Sequence, residues 1–279
     1  MKPMFWFLDA MAQADVEARL VRAEAAASRE ESGGTVLARR PTRDAYGAEI
    51  EQMRMAGSVA IVPVKGPLLK GAHPIYKQYG FADYDDVKED MRAAREQGAQ
   101  AVVLNIASPG GMAVGAGQLG AFVAEFARHT PVYSFTDEMQ CSAAEYLSGA
   151  CTLRLASADA IVGSIGTVMV TVSFQGMLDE AGIKAEVFAS GPFKAAGNRL
   201  KDNTPEQSQY LQEFVDNLAG EFKGHMLNYR AAFGLNESAM QGQVFTGRQG
   251  VSNGLLSRNA RSLDEAVELA MRLEFPLGR

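Results

Sequence analysis

The sequence predicts an α/β fold with a mostly parallel sheet and crossover helices. Three observations carry that expectation. Apolar, β-branched runs at residues 59–64 and 101–106, and a third run at 131–135, read as strands. Helical spacing follows two of them: Val87, Met91 and Ala94 within residues 85–97, then Leu119, Phe122, Val123 and Phe126 within residues 113–128. The alternation leaves room between strands for a crossover helix, which parallel pairing requires.

The remaining elements follow in order. Residues 1–57 read as an N-terminal arm, partly helical or flexible, and residues 58–279 as one α/β domain. Within the arm, residues 14–30 are rich in Ala, Glu and Arg with a thin apolar stripe. Breaks follow at Ser32-Gly33-Gly34 and Arg39-Arg40-Pro41. Such a segment is expected to be a flexible arm or a helix that packs on a neighbouring subunit. Residues 68–83 mix Gly, Pro and aromatics and are expected to form a loop. Gly98 ends the first helix. After the third strand comes a polar run, 136–140, then Ser142 and a helix over 143–150. Residues 169–173 and 185–189 read as further strands, with a short helix at 177–181 between them. Thr204 caps a long helix with Pro205 in its first turn. Leu211, Phe214, Val215, Leu218 and Phe222 form its stripe, and its expected end is about Phe233. A compact section starts at Val244, and Leu263, Ala266, Val267 and Ala270 mark a last helix.

Composition narrows the function classes. The chain has 279 residues, a formal net charge of −6 and no long basic run, which disfavours nucleic-acid binding. Cys141 and Cys151 are the only cysteines, a usage that fits reduced thiols rather than a disulfide framework. The apolar run 4–8 ends at Asp9, far short of the ~20 residues of a spanning helix and too short for a signal-peptide core. A cytoplasmic protein without a membrane anchor is expected.

Three stretches carry candidate chemistry. Ser108-Pro109-Gly110-Gly111 follows the second strand. Ser142 follows the third, with Gly163-Ser164-Ile165-Gly166 beyond it. Ser190-Gly191-Pro192-Phe193-Lys194 comes later. Singly, each has a plain explanation: a Gly-Gly pair makes a tight turn, a serine at a helix start is an N-cap, and a lysine is a surface charge. Functional loops of parallel sheets lie past the carboxyl ends of the strands, so Gly110-Gly111 and Ser142 are expected to share one edge.

In this order and spacing the three stretches resemble the SppA-type signal peptide peptidase family. The resemblance runs from about residue 58 to 270. It includes V-F-T-G-R-Q-G-V-S-N-G-L-L at 244–256, similar to the family's closing Y-x-G-x-x-A-x-x-x-G-L-V segment. Within the family, the phage head-maturation proteases of the protein C type are the nearest in pattern, with C-S-A and G-S-I-G. The resemblance implies a ClpP/crotonase-like fold and a serine–lysine dyad, with Ser142 as nucleophile and Lys194 as base. It implies Gly110 and Gly111 at the oxyanion hole, Ser164 orienting the lysine, and neither metal nor cofactor. It further implies polypeptide substrates, such as capsid scaffold or portal proteins in a host cytoplasm or prohead, and a homo-oligomeric ring, with an octamer as first guess. A second reading is a cytosolic bacterial peptidase acting on signal-peptide remnants or other peptides; a third is a non-catalytic crotonase-like binding component.

The residue types suit the chemistry. A serine hydroxyl needs a base to become nucleophilic. A lysine serves as base only when neutral, a state favoured by burial or positive surroundings; Phe193, Ala195 and Ala196 offer an apolar setting. No Ser/His/Asp set is visible around His73, His129 and His225. Two departures from the family pattern stand out. Glu145 occupies a position that is often aromatic. Gly250 replaces a usual alanine, and Leu256-Ser257 stands where an acidic residue often follows.

Overall fold

The computed structural model describes the backbone of residues 6–8, 13–33 and 41–273, and the side chains of residues 15–28 and 41–273. The breaks expected at Gly34 and Arg39-Arg40 lie outside the described residues, as do Met4, Phe5 and Asp9 of the short apolar run. In chain order the elements are β1 (Trp6–Leu8), α1 (Gln13–Gly33), β2 (Arg54–Ala56), β3 (Val59–Lys65), β4 (Leu68–Leu69), α2 (Pro74–Gln78), β5 (Ala82–Asp83), α3 (Tyr84–Glu96), β6 (Ala101–Ala107) and β7 (Gly110–Met112). Then follow α4 (Ala116–Ala127), β8 (Val132–Thr136), β9 (Met139–Cys141), α5 (Ala143–Ser148), β10 (Leu153–Ala156) and β11 (Ile161–Gly163). The last are α6 (Gln175–Glu180), α7 (Pro205–Arg230), β12 (Val244–Thr246), α8 (Gly247–Ser252), β13 (Arg258–Asn259) and α9 (Leu263–Met271).

The central sheet has six strands in the order β13-β10-β8-β6-β3-β2. All its pairs are parallel except β2–β3. Its strands are apolar on both faces, and the period of two sorts them. Ala60, Val62, Val64, Val102, Leu104 and Ile106 enter one cluster with residues of α3, α4 and α5. Val59, Ile61, Ala101, Val103, Tyr133 and Phe135 enter another with α9. Two small sheets stand at the carboxyl edge, β1-β7-β4-β5 and β12-β11-β9. This is a mixed α/β architecture with a mainly parallel central sheet, as the sequence predicts.

Three expectations need correction. Residues 68–83 are not a plain loop: they hold β4, α2 and β5, because β4 is drawn into pairing by β7 and β5. Residues 169–173 and 185–189 form no strand; Val170, Val172 and Phe188 are exposed and join no sheet among the described residues. The apolar stripe of α1 lies on its own chain, with Val16 and Leu20 packed against Leu69 and Phe81.

The long helix α7 starts with a complete capping box: the Thr204 side chain accepts from the Gln207 N–H, and the Gln207 side chain accepts from the Thr204 N–H. Farther along, α7 packs on α5. Tyr146 stacks on Phe222 and His225, with ring centroids 4.9 and 4.2 Å apart. Gly120 and Gly149 make room for this layer, since a Cβ at either would stand 3.0 or 2.9 Å from the His225 ring.

Burial pushes the His225 imidazole down to about 4, and the nearby Arg154 guanidinium pushes the same way. The native ring is therefore neutral where the unfolded chain, with an ordinary value near 6.5, already takes up a proton. The contribution to stability is complete above about pH 6.5 and is lost as the pH falls toward 4, roughly 3 kcal/mol in all. Urea unfolding of the parent and His225→Phe at pH 7 and pH 4.5 checks this. The parent should lose more stability on acidification than the variant; equal losses would exclude His225 as the titrating group.

Candidate active site

Ser142 stands where β9 ends and α5 begins. Its backbone lies at φ 53°, ψ −115°, a left-handed conformation that side chains rarely adopt. Two bonds hold it there. Its N–H donates to the Gly163 carbonyl at 2.8 Å, and its carbonyl accepts from the Tyr146 N–H at 3.0 Å, which opens α5. Its hydroxyl makes no capping bond, so the plain N-cap explanation does not hold. The Oγ is buried and has no hydrogen-bond partner among the described residues. A buried, unpartnered hydroxyl on a strained strand-to-helix turn marks a candidate nucleophile that still needs a base.

The glycine turn lies beside it. Ser108 bridges Gln140 in parallel, and the Cys141 N–H donates to the Ser108 carbonyl at 3.0 Å. That pairing lines up Gly110-Gly111 and Ser142 on one sheet edge, as expected. Gly110 sits at φ +105°, and its N–H donates to Ser108 Oγ at 3.2 Å. Gly111 has its own packing reason: a Cβ there would stand 2.0 Å from the Leu68 carbonyl oxygen of β4. One edge of β7 is thus taken by β4. The other is taken by β1, antiparallel, with Leu8 opposite Gly110 and Phe7 opposite Gly111. The chain's own strand lies along the glycine turn.

Ser164 completes the near side. It has φ 55°, is buried, and its N–H donates to the Gln243 carbonyl at 2.7 Å. Gly163 before it has φ +111°, and a Cβ there would meet the same Gln243 oxygen at 2.7 Å. Among the described residues the non-glycine positive-φ positions are Ser142, Ser164 and Leu273, so two of them flank Gly163 in this turn.

Lys194 is not brought to Ser142 within the single chain. It is exposed, in a run of turns over residues 190–197, where its N–H donates to the Gly191 carbonyl at 3.1 Å. The apolar setting expected around it is open: Phe193 is 47% exposed. The Phe193 ring lies on Tyr210, centroids 4.9 Å apart, and Gln207 Nε2 donates to the Pro192 carbonyl at 2.6 Å, so the segment is fastened to the start of α7.

The pairing of Glu145 with Arg154 was missed from sequence. Glu145 and Arg154 are fully buried, and Arg154 Nη2 donates to Glu145 Oε2. Glu145 Oε1 accepts from the Gly163 N–H at 3.1 Å and from Gln140 Nε2 at 3.4 Å. Burial, then the Arg230 guanidinium, push Arg154 below the usual arginine range. The signal was present: an arginine inside the apolar strand run of β10 needs a buried partner. Among the described residues, no group of His, Cys, Asp and Glu is placed to hold a metal, and no helix is long and apolar enough to cross a membrane.

Comparison with known proteins gives the family. The Head-tail preconnector protein GP5 of Enterobacteria phage P21 is 30% identical over 224 residues, 79% of this chain and 44% of that protein. The Capsid assembly protease C of Escherichia phage lambda is 25% identical over 215 residues, 76% of this chain and 48% of that protein. The putative signal peptide peptidase SppA of Enterococcus faecium is 24% identical over 194 residues, 67% of this chain and 55% of that protein. The chain therefore spans about half the length of these relatives. Among solved structures, the 1510-N membrane-bound stomatin-specific protease is 16% identical, with 75% of this chain and 83% of that chain covered and a TM-score of 0.41. The model of Peptidase family S49 matches residues 124–274, more than half the chain and the stretch that holds Ser142, Glu145, Ser164 and Lys194; the chain belongs to Peptidase family S49.

Proposed function

We propose that this chain is a serine endopeptidase with Ser142 as nucleophile and Lys194 as general base, acting on phage capsid or scaffold polypeptides during head maturation. The observation that carries the reading is the strained Ser142 turn with its buried hydroxyl beside the Gly110-Gly111 turn. Ser142 Oγ attacks the scissile carbonyl while its proton passes to Lys194 Nζ; the ammonium then protonates the leaving amine, and water releases the acyl chain from the serine. A backbone N–H at the Gly110-Gly111 turn stabilises the oxyanion, and Ser164 orients the lysine. The phage substrate class is supported by the names of the relatives from phages P21 and lambda. The Enterococcus relative supports the second reading, a bacterial peptidase of the SppA type acting on signal-peptide remnants or other peptides.

The substrate takes an extended form on this reading. The β7 edge held by Trp6–Leu8 is where a peptide main chain pairs beside the glycine turn, so β1 and substrate compete for it. The dyad closes on assembly. Val168, Val170, Val172, Phe174, Met177 and Phe188 are all exposed in the segment that leads to Lys194. That is more apolar surface than a single soluble domain ordinarily leaves open. A second copy covering it would bring Lys194 toward a serine in a closed homo-oligomeric ring, with an octamer as starting estimate, working in the host cytoplasm or the prohead.

Three outcomes check this reading. Ser142→Ala and Lys194→Ala should each abolish cleavage of fluorescein-labelled casein, and the double variant should be no worse than either, because the two act as one unit. Full turnover by a folded Ser142→Ala protein would remove the nucleophile assignment. Light scattering should give a multiple of the chain mass for the parent and a smaller mass for Phe188→Asp; a monomeric, fully active parent excludes the ring. Removing residues 1–8 should lower KM for casein with kcat little changed, whereas an unchanged KM means that β1 does not occupy the substrate edge.

A further inference from the structure

We infer that the buried Glu145–Arg154 pair is the positioning device for Ser142, acting through the Gly163 main chain. The inference rests on the reading of Ser142 as nucleophile and adds to it the residue that holds the nucleophile's backbone in its strained conformation.

The connections form a closed loop. Glu145 is on α5, the helix that starts at Ser142. Its Oε1 accepts the Gly163 N–H at 3.1 Å. The Gly163 carbonyl in turn accepts the Ser142 N–H at 2.8 Å. The peptide groups on both sides of the Gly163 Cα are therefore tied, one to Glu145 and one to Ser142, and this fixes the φ of +111° between them. Gln140 Nε2, two residues before Ser142, reaches the same carboxylate oxygen at 3.4 Å. One carboxyl group thus links the end of β9, the start of α5 and the end of β11, and Arg154 holds its other oxygen from β10.

Stability alone does not account for such a pair. Taking both charges out of water costs several kcal/mol per ion, and replacing a buried pair by apolar side chains is often neutral or stabilising. Here the cost is raised further. Arg154 Nε and Nη1 are buried without partners among the described residues, and a second buried cation, Arg230, stands close by, with its Nη2 and the Arg154 N–H both donating to Ser257 Oγ at 3.3 and 3.1 Å. An aromatic residue at 145, the pattern the sequence departs from, would fill the space without charge but would offer no carboxylate to Gly163. What the carboxylate adds is that acceptor, and what the guanidinium adds is a fixed direction for the carboxylate.

The test separates acceptor from charge. E145Q/R154M removes both charges and keeps an oxygen facing Gly163; E145L/R154M removes both charges and the oxygen. Both should melt close to the parent. On fluorescein-labelled casein, E145L/R154M should lose about 100-fold in kcat with KM nearly unchanged, the scale of effect expected when a reacting group is misplaced by about 1 Å. E145Q/R154M should keep kcat within a few fold. Equal kcat in the two variants at equal melting temperature overturns the inference, because a pair that only fills the core would give that result. Amide exchange supplies a readout independent of turnover and of whether E145L/R154M folds. In E145Q/R154M, where a neutral amide oxygen accepts more weakly than the carboxylate, the Gly163 and Ser142 amides should speed up together, by the same factor relative to the parent; a change at one without the other, or at neither, overturns the linkage. Ser142→Ala is run alongside: if it still cleaves casein, the nucleophile assignment fails, while the exchange data still judge Glu145.

Discussion

The hydrogen bond from the Ser142 N–H to the Gly163 carbonyl, 2.8 Å long, is the constraint on which the candidate site depends. It joins the ends of β9 and β11 just where both chains turn away from the sheet. On one side it requires a side-chain-bearing residue at positive φ; on the other it requires glycine, since a Cβ at 163 would strike the Gln243 carbonyl. Each such backbone strain costs of order 1–3 kcal/mol. A turn of that kind persists only when its surroundings leave no alternative, and the central sheet supplies them. β6 and β8 are buried along nearly their whole length, and the Ser108–Gln140 bridge passes their fixed register out to the site. The rigidity of an apolar sheet is thereby spent on holding one polar turn.

The buried charges belong to the same logic. Arg154 lies in the middle of β10, between apolar neighbours that serve the core, and Arg230 lies at the end of α7 with its guanidinium 4.0 Å from the Phe233 ring centroid. Ser257 accepts from both residues. In this way the last compact section of the chain, residues 244–260, is fastened to the strand that supports Glu145. The segment around 244–256 that carries the family pattern is therefore not remote from the chemistry. Gln243 and β12 hold Gly163-Ser164 from one side, while Ser257 holds the Arg154 strand from the other.

Much of this was legible in the sequence, for identifiable reasons. The β-branched runs at 59–64 and 101–106 are buried on both faces, so tertiary structure had nothing to override. The cap at Thr204 and the stop at Gly98 depend on local bonds alone, and the structure has both. The edge shared by Gly110, Gly111 and Ser142 follows from parallel topology. The misses have a common cause in long-range partners. β4 and β5 are two-residue strands with little preference of their own, and they exist because β7 offers an edge. Glu145 was visible as an oddity, while Arg154 lies in a strand, Leu153–Ala156, that the sequence reading did not single out; nothing local says that the two meet, or that Gly163 completes the contact.

Residues 169–173 fail in the opposite direction. Met169, Val170, Thr171 and Val172 are apolar or β-branched, yet they form no strand among the described residues, and Val170 and Val172 face out. A β-prone, apolar stretch left exposed is a liability that folded proteins ordinarily cover. The same stretch begins the segment that carries Lys194, and both ends of that segment are anchored, at Ser164 by Gln243 and at Pro192 by Gln207. It is held as an open surface rather than left as a tail. On the proposed reading this joins two requirements in one piece of chain: whatever covers the valines also controls where the lysine goes. A peptidase that acquires its base only when covered by its own kind would stay inert as a free subunit, and its Ser142 hydroxyl, closed off from solvent in the single chain, agrees with that order of events.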